Sequence, residues 1–393
     1  YDIVAAAGSR YIANVQEFTV SASDGAGILL ELVSQTASYP AVLAGIEILS
    51  ANPGGVANPT VALDMSTDNG ASWTPIASGL VVDRFGYGSY QWTAGPETAG
   101  NTALIRARAE NGTQPTDASD QGFLVANAGT AYYVNDASLT GDEYSTAIGN
   151  NANSGKTADA PMASISALLR AYDLNPGDVI YVDSGTYSLL NNIVIGSEDS
   201  GVEIRGPVDV GHAAVLNRGN TSSTSYVFEL VNADDVTLSH LSLTGGYAGL
   251  RAVSGSDSDG LRLEDVGAFG STYGVYLDAG NDNVEVIGGA YYSNNTGLQL
   301  FGNGTLVQGA RGYNNSVGIY VSDNSSSGAG ALIEGVEVYG NSQYGLNVGT
   351  GGSAPQTVVR NNVVHGNVGS YYSAGMTISG NVLATGNAVY QNT

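Results

Sequence analysis

The stretch Gly274 to Phe301, GVYLDAGNDNVEVIGGAYYSNNTGLQLF, decides how the chain is read. A Gly opens a run in which apolar and polar residues alternate. A β-rich run follows, an aromatic residue stands two places before an Asn, and the next Gly starts the cycle again. The Gly phrases are GLRAV at Gly249, GVYLD at Gly274, GLQLF at Gly297, GIYVS at Gly318, GLNVG at Gly345 and GMTIS at Gly375, at spacings of 25, 23, 21, 27 and 30 residues. A second ladder, Tyr292/Asn294, Tyr313/Asn315, Tyr339/Asn341, His365/Asn367 and Tyr390/Asn392, advances by 21, 26, 26 and 25. Two independent ladders with one period are the signature of a stacked solenoid coil.

Between the ladders lie strand-like runs, Asn283 to Ile287, Thr305 to Gln308, Ala331 to Val338 and Thr357 to Val364, separated by Gly, Asn and Ser turns. Each coil thus offers two or three short strands. No helical period separates them, which excludes βαβ and leucine-rich patterns. The expectation is an all-β chain whose main part is a right-handed parallel β-helix. In it the first and third residues after each Gly point inward (Val275 and Leu277, Leu298 and Leu300, Ile319 and Val321), and the second points out. Coils about 4.8 Å apart place like residues on like, so the Asn amides are expected to bond coil to coil.

The outward positions form a stripe: Arg251, Tyr276, Gln299, Tyr320, Asn347 and Thr377. Rings that stack on sugar faces, with amides that bond hydroxyls between them, suit a polysaccharide. Tyr is also simply favoured on strand surfaces. Four carboxylates in neighbouring loops, Asp257, Asp259, Asp278 and Asp282, are candidate ligands for Ca²⁺, which takes six to eight oxygens. Neither loop has EF-hand spacing, and turns use Asp for their own reasons.

No catalytic residue is assigned. Glycoside hydrolysis needs two carboxylates facing one groove, and the stripe carries none. Lyase or epimerase chemistry needs a charge neutraliser and a base, for which Arg251 with Tyr276 is the one pair. His212 and His240 show no triad or metal partner in sequence, and His365 replaces a Tyr in the aromatic ladder.

Composition bounds the partners. Twelve basic and 36 acidic residues give a net charge of −24, and Lys156 is the only lysine. Phosphate binding needs basic clusters, so no nucleic-acid partner is expected. The absence of Cys removes disulfides and thiolate metal sites. No apolar run is long enough for a membrane span. The 55 Gly, about twice the usual fraction, accompany 42% apolar residues, enough for a real core. The chain opens on Tyr1 and stops mid-repeat, so it is expected to be an internal piece of a longer exported or cell-surface protein.

Three segments are expected along the chain. Residues 1–51, with YDIVAAAG, EFTVSASDG and YPAVLAGIEIL, resemble the C-terminal half of a malectin-like jelly roll. Residues 52–128 carry strand runs Thr60 to Asp64, Leu104 to Ala109 and Gly122 to Val125, and resemble an immunoglobulin or fibronectin-type β-sandwich. Ser66 to Trp73, STDNGASW, matches the Asp-box turn of sialidases, read here as a single Asp-capped hairpin turn. In residues 129–393, the opening Ala131 to Tyr187 resembles the N-terminal cap of pectate-lyase-like right-handed β-helix proteins. A helix from Met162 to Tyr172, started by Pro161 and burying Ile165, Leu168 and Leu169, would plug the first coil.

These readings lead to a non-catalytic modular exported protein serving adhesion, polysaccharide binding or assembly of an extracellular layer, with polysaccharide or neighbouring subunits as partners. The resemblance implies the alternative: a polysaccharide lyase or epimerase acting on an acidic glycan in the β-helix groove. Ca²⁺ is the one candidate cofactor, as a bridge between the acidic chain and such a glycan.

Overall fold

The computed structural model describes residues 60–393 apart from 84–85, 97, 99–100, 111–114, 126–128, 254, 324–327, 352–353 and 370–373. The half jelly roll expected over 1–51 lies outside the described residues. The chain divides into two units, Tyr1–Thr93 with Ala103–Gly122, and Ala94–Thr102 with Phe123–Thr393.

In the first unit, β1 (Thr60–Ser66), β2 (Thr74–Val81), β3 (Leu104–Ala109) and β4 (Thr116–Ala118) form one antiparallel sheet in the order β2-β1-β3-β4. The strand expected at Gly122–Val125 does not form. Val125 instead bonds Thr98, whose N–H donates to its carbonyl at 2.9 Å and whose Oγ1 accepts from its N–H at 3.1 Å. The Ser66–Trp73 turn is a closed hairpin connection. Asp68 Oδ1 accepts from Ser66 Oγ at 2.7 Å and Ser72 N at 2.8 Å, and Oδ2 accepts from Ser72 Oγ at 2.6 Å. Asn69 and Gly70 take the left-handed conformation the turn requires, and Arg106 lies 4.2 Å over the Trp73 ring.

The Ser72 hydroxyl and backbone, then Ser66, bring the Asp68 carboxyl down from 3.8 to about 2. A depressed folded-state value means that the stabilisation is present above pH 3.8 and lost as pH falls through about 2. Asp68→Asn is therefore expected to lower the melting point of this unit at neutral pH. The gap between the two proteins should close on acidification through that window, as followed by circular dichroism.

The second unit is a parallel β-helix of about eight turns. Its three sheets run from Ala131–Val134 to Val382–Thr385 (ten strands), from Gly185–Ser188 to Ala388–Tyr390 (nine) and from Ile193–Gly196 to Ala374–Ser379 (eight). Consecutive strands of each sheet come from consecutive coils. The inward columns stand in vertical register: Leu250, Val275, Leu298, Ile319 and Leu346 pair in turn along the third sheet. All five are fully buried, each contributing about 1.5–3 kcal/mol of apolar burial.

The recurring Gly has a steric cause. A Cβ on Gly249, Gly274, Gly297, Gly318 or Gly345 would lie 2.4–2.7 Å from the carbonyl oxygen of the corresponding Gly one coil on. None of these five needs a left-handed backbone, so close approach between coils is what excludes a side chain.

The Asn ladder joins the coils as the sequence suggested. Asn315, Asn341, Asn367 and Asn392 each accept, through Oδ1, the backbone N–H of the preceding ladder Asn at 2.9–3.0 Å. Each Nδ2 donates to a carbonyl of the preceding coil: Asn315 to Tyr291, Asn341 to Gly312. A second, shorter ladder that the repeats did not reveal runs through Asn362 and Asn387. On the nine-stranded sheet Phe269, Tyr292, Tyr313, Tyr339, His365 and Tyr390 stack at 4.9–5.3 Å with interplanar angles of 3–11°. His365 is thus a member of the stack.

The helix α1 (Ile165–Ala171) begins three residues later than the Met162 expected. Ser164 caps it, accepting from Ala167 N, while Met162 is held in a parallel bridge with Val134. Ile165 and Leu168 are buried in the same core as Ile180, Ile193 and Ile204, and Leu169 packs against its edge.

Candidate functional site

The outer face of the eight-stranded sheet brings the predicted stripe together. Strand register aligns Glu229, Arg251, Tyr276, Gln299, Tyr320, Asn347 and Thr377 one above the other. The register extends two residues below the reading from sequence, to Glu229, which accepts from Asn192 Nδ2 at 2.8 Å, and to exposed Val194.

Ring contacts widen the stripe into a band. Tyr247 and Tyr273 meet at 5.4 Å, Tyr273 and Tyr276 at 4.7 Å, Tyr276 and Phe301 at 6.2 Å, and Phe301 and Tyr320 at 5.5 Å. All five rings are half-buried, so each has an edge or face toward solvent while its neighbours hold it in place. Sequence reading missed Tyr247, Tyr273 and Phe301. The signal was present: Tyr273 stands one place before a repeat Gly, and Phe301 four places after one.

Arg251 is on the outer face yet only 8% exposed. Its guanidinium lies 3.8 Å over the Tyr276 ring, bonds the Asp278 carboxylate, and donates to the Ala252 and Tyr276 carbonyls. Burial, then Asp278, push the Tyr276 phenol above its usual value, with Arg251 opposing them. The Asp278 carboxylate and the Tyr276 ring thus hold the guanidinium in one place beside the phenol. Chemically this arrangement is a rigid, electrically balanced platform.

The four acidic residues considered for Ca²⁺ fall into two places. Asp278 faces Arg251. Asp259 and Asp282 belong to a turn ladder in which Asp234 accepts from Asp259 N at 2.9 Å, Asp259 from Asp282 N at 2.7 Å and Asp282 from Asn303 N at 2.8 Å. Asp257 is exposed beside this corner, its N–H donating to Asn232 at 3.1 Å. Burial, with the nearby charges of Asp282, Asp257 and Asp234 adding to it, raises the Asp259 carboxyl. His212, without a partner in sequence, has Nδ1 2.9 Å from Glu143 Oε1.

No family model matches the chain, and no curated protein matches it. Solved structures similar to it include pectate lyase Pel9A, 19% identical, covering 67% of this chain and 78% of that one with a TM-score of 0.49. A rhamnogalacturonan lyase is 17% identical over 64% of this chain and 73% of its own, TM-score 0.46. The A-module of the Azotobacter vinelandii mannuronan C-5 epimerase AlgE4 is 14% identical over 56% of this chain and 81% of its own, TM-score 0.27. The likeness is one of fold. Among the described residues, no helix is long and apolar enough to cross a membrane.

Proposed function

We propose that this chain acts on polysaccharide by holding a glycan along the outer face of its eight-stranded sheet. The observation that carries the reading is the continuous band of half-exposed rings, Tyr247, Tyr273, Tyr276, Phe301 and Tyr320, interleaved with the Gln299 and Asn347 amides. Stacked coils fix the spacing of these groups, so little side-chain freedom is lost when a sugar chain lies across them. Weak contacts repeated up the stripe then add as linked sites do. A net charge of −24 favours a neutral glycan, or an acidic one bridged by Ca²⁺ at the Asp257, Asp259 and Asp282 corner.

In this reading α1 caps the open end of a right-handed β-helix, the β1–β4 sheet is part of an immunoglobulin-like spacer, and a malectin-like segment precedes it. The setting is extracellular or at the cell surface, where a Cys-free, acidic chain remains soluble. Adhesion or layer assembly would follow from glycan binding by a rigid shaft.

The second reading is processing of an acidic glycan by lyase or epimerase chemistry. It is favoured by one feature, Arg251 beside Tyr276 and one coil below it. One experiment separates the two. The chain is passed over a panel of immobilised neutral and uronate polysaccharides, with and without Ca²⁺, while ultraviolet absorbance reports unsaturated products. Binding without turnover is expected, and Tyr320→Ala should weaken retention about three- to tenfold, the worth of one ring contact. Equal retention by Tyr320→Ala and Gln299→Ala would discard the stripe as the site. Turnover that disappears in Tyr276→Phe would make the enzyme reading the right one.

A further inference from the structure

Near the start of the β-helix, away from the outer face of the eight-stranded sheet in chain order, two loops meet. Glu143 lies on one, and Val208, Asp209 and His212 on the other. Glu143 Oε1 accepts from Asp209 N and Oε2 from Val208 N, both at 2.8 Å, and Oε1 is 2.9 Å from His212 Nδ1. The Asp209 carboxylate completes a group whose three ligand atoms all lie within 4.8 Å of one another.

One further observation points to a ligand. Ser184 is 6% exposed, its Oγ is buried without a hydrogen-bond partner, and it lines the same cleft as His212, with Thr140, Gly141 and Gly185. Gly141 borders this cleft with a φ of +78°, a conformation that disfavours any side chain.

We propose that Glu143, Asp209 and His212 form a binding site for a borderline divalent metal ion of the Zn²⁺ type. An imidazole with two carboxylates is a donor set for Zn²⁺ and its neighbours, whereas Ca²⁺ and Mg²⁺ prefer oxygen alone. Ligand atoms in a tetrahedral Zn²⁺ site stand about 3.3 Å apart, as metal–ligand lengths of about 2.0–2.1 Å require. The Nδ1 to Oε1 separation is already close to that. The metal would take the place of the proton now lying between His212 Nδ1 and Glu143 Oε1, with water as the fourth ligand. Glu143 is preorganised for the task, because two backbone N–H groups fix its carboxylate. The ion would tie the 143 loop to the 209–212 loop and brace the first coils.

The test is calorimetric titration of the whole chain with ZnCl₂, with melting followed in parallel. One saturable site of micromolar or tighter affinity and a raised melting point are expected, with Ca²⁺ or Mg²⁺ at equal concentration giving neither. Asp209→Asn, at an exposed position that leaves the fold intact, and His212→Gln should each weaken uptake about tenfold or more. His240→Gln should not. Absence of saturable uptake, equal response to Ca²⁺, or unchanged affinity in Asp209→Asn would each overturn the proposal. Glycan retention is independent of this site, so its outcome bears only on the stripe.

Discussion

Asn341→Ala is expected to destabilise the β-helix by about 3–5 kcal/mol, among the largest effects a single truncation can have. The side chain is fully buried and makes five bonds. Oδ1 accepts from the backbone N–H and the Nδ2 of Asn315 at 2.9 and 3.1 Å. Nδ2 donates to the Gly312 and Tyr339 carbonyls and to Asn367 Oδ1 at 2.9, 3.1 and 2.8 Å. Alanine would leave the Asn315 N–H and the Gly312 carbonyl buried without these partners, each orphan costing about 1–3 kcal/mol. Asn392→Ala, in the last coil and partly exposed, should cost about 1 kcal/mol, since water can replace what it loses. Urea titration by circular dichroism measures both. A loss below 1 kcal/mol for Asn341→Ala would mean that the ladder is not what binds coil to coil.

Gly297→Ala is the second large effect, expected at about 3 kcal/mol. Its Cβ would stand 2.4 Å from the Gly318 carbonyl oxygen, 3.1 Å from Asn315 Nδ2 and 3.2 Å from Tyr291 Cβ. The nearest of these is backbone, bound into the parallel sheet, and cannot swing aside as a side-chain tip can. Relief requires prising two coils apart along Thr296–Leu300 and Val317–Asp323, which strains the sheet on both sides. Gly349→Ala is the control. It sits on the same sheet, but its nearest contact is Ser379 Oγ at 3.1 Å, a hydroxyl free to rotate. The control should fall within about 0.5 kcal/mol of the parent. Similar losses in the two variants would show that helical packing of the coils, rather than this contact, dictates glycine.

Much of the fold was legible because a solenoid repeats its environment every coil. Val275, Leu298 and Ile319 occupy one column, and the recurrence of Gly, aliphatic and Asn at fixed offsets records that column directly. The stripe from Arg251 to Thr377 followed from the same alternation. What escaped was set by side-chain conformation and by the meeting of distant loops. Nothing in the repeat tells that Arg251 lies back over Tyr276 onto Asp278, or that Phe301 wedges between Tyr276 and Tyr320. Helix α1 begins three residues after the start that Pro161 suggests, because Met162 is taken into a parallel bridge with Val134 that no local pattern shows. Glu143 and His212 are far apart in sequence, and their approach depends on how the first coils turn.

Sequence by itself determined the period, the inward columns and the outward face, since strand alternation and coil stacking depend only on local spacing. Tertiary structure alone decided why the repeat begins with Gly, which rings form the band, and where Glu143, Asp209 and His212 converge. Those depend on distances between atoms of different coils and loops, and no local pattern encodes them.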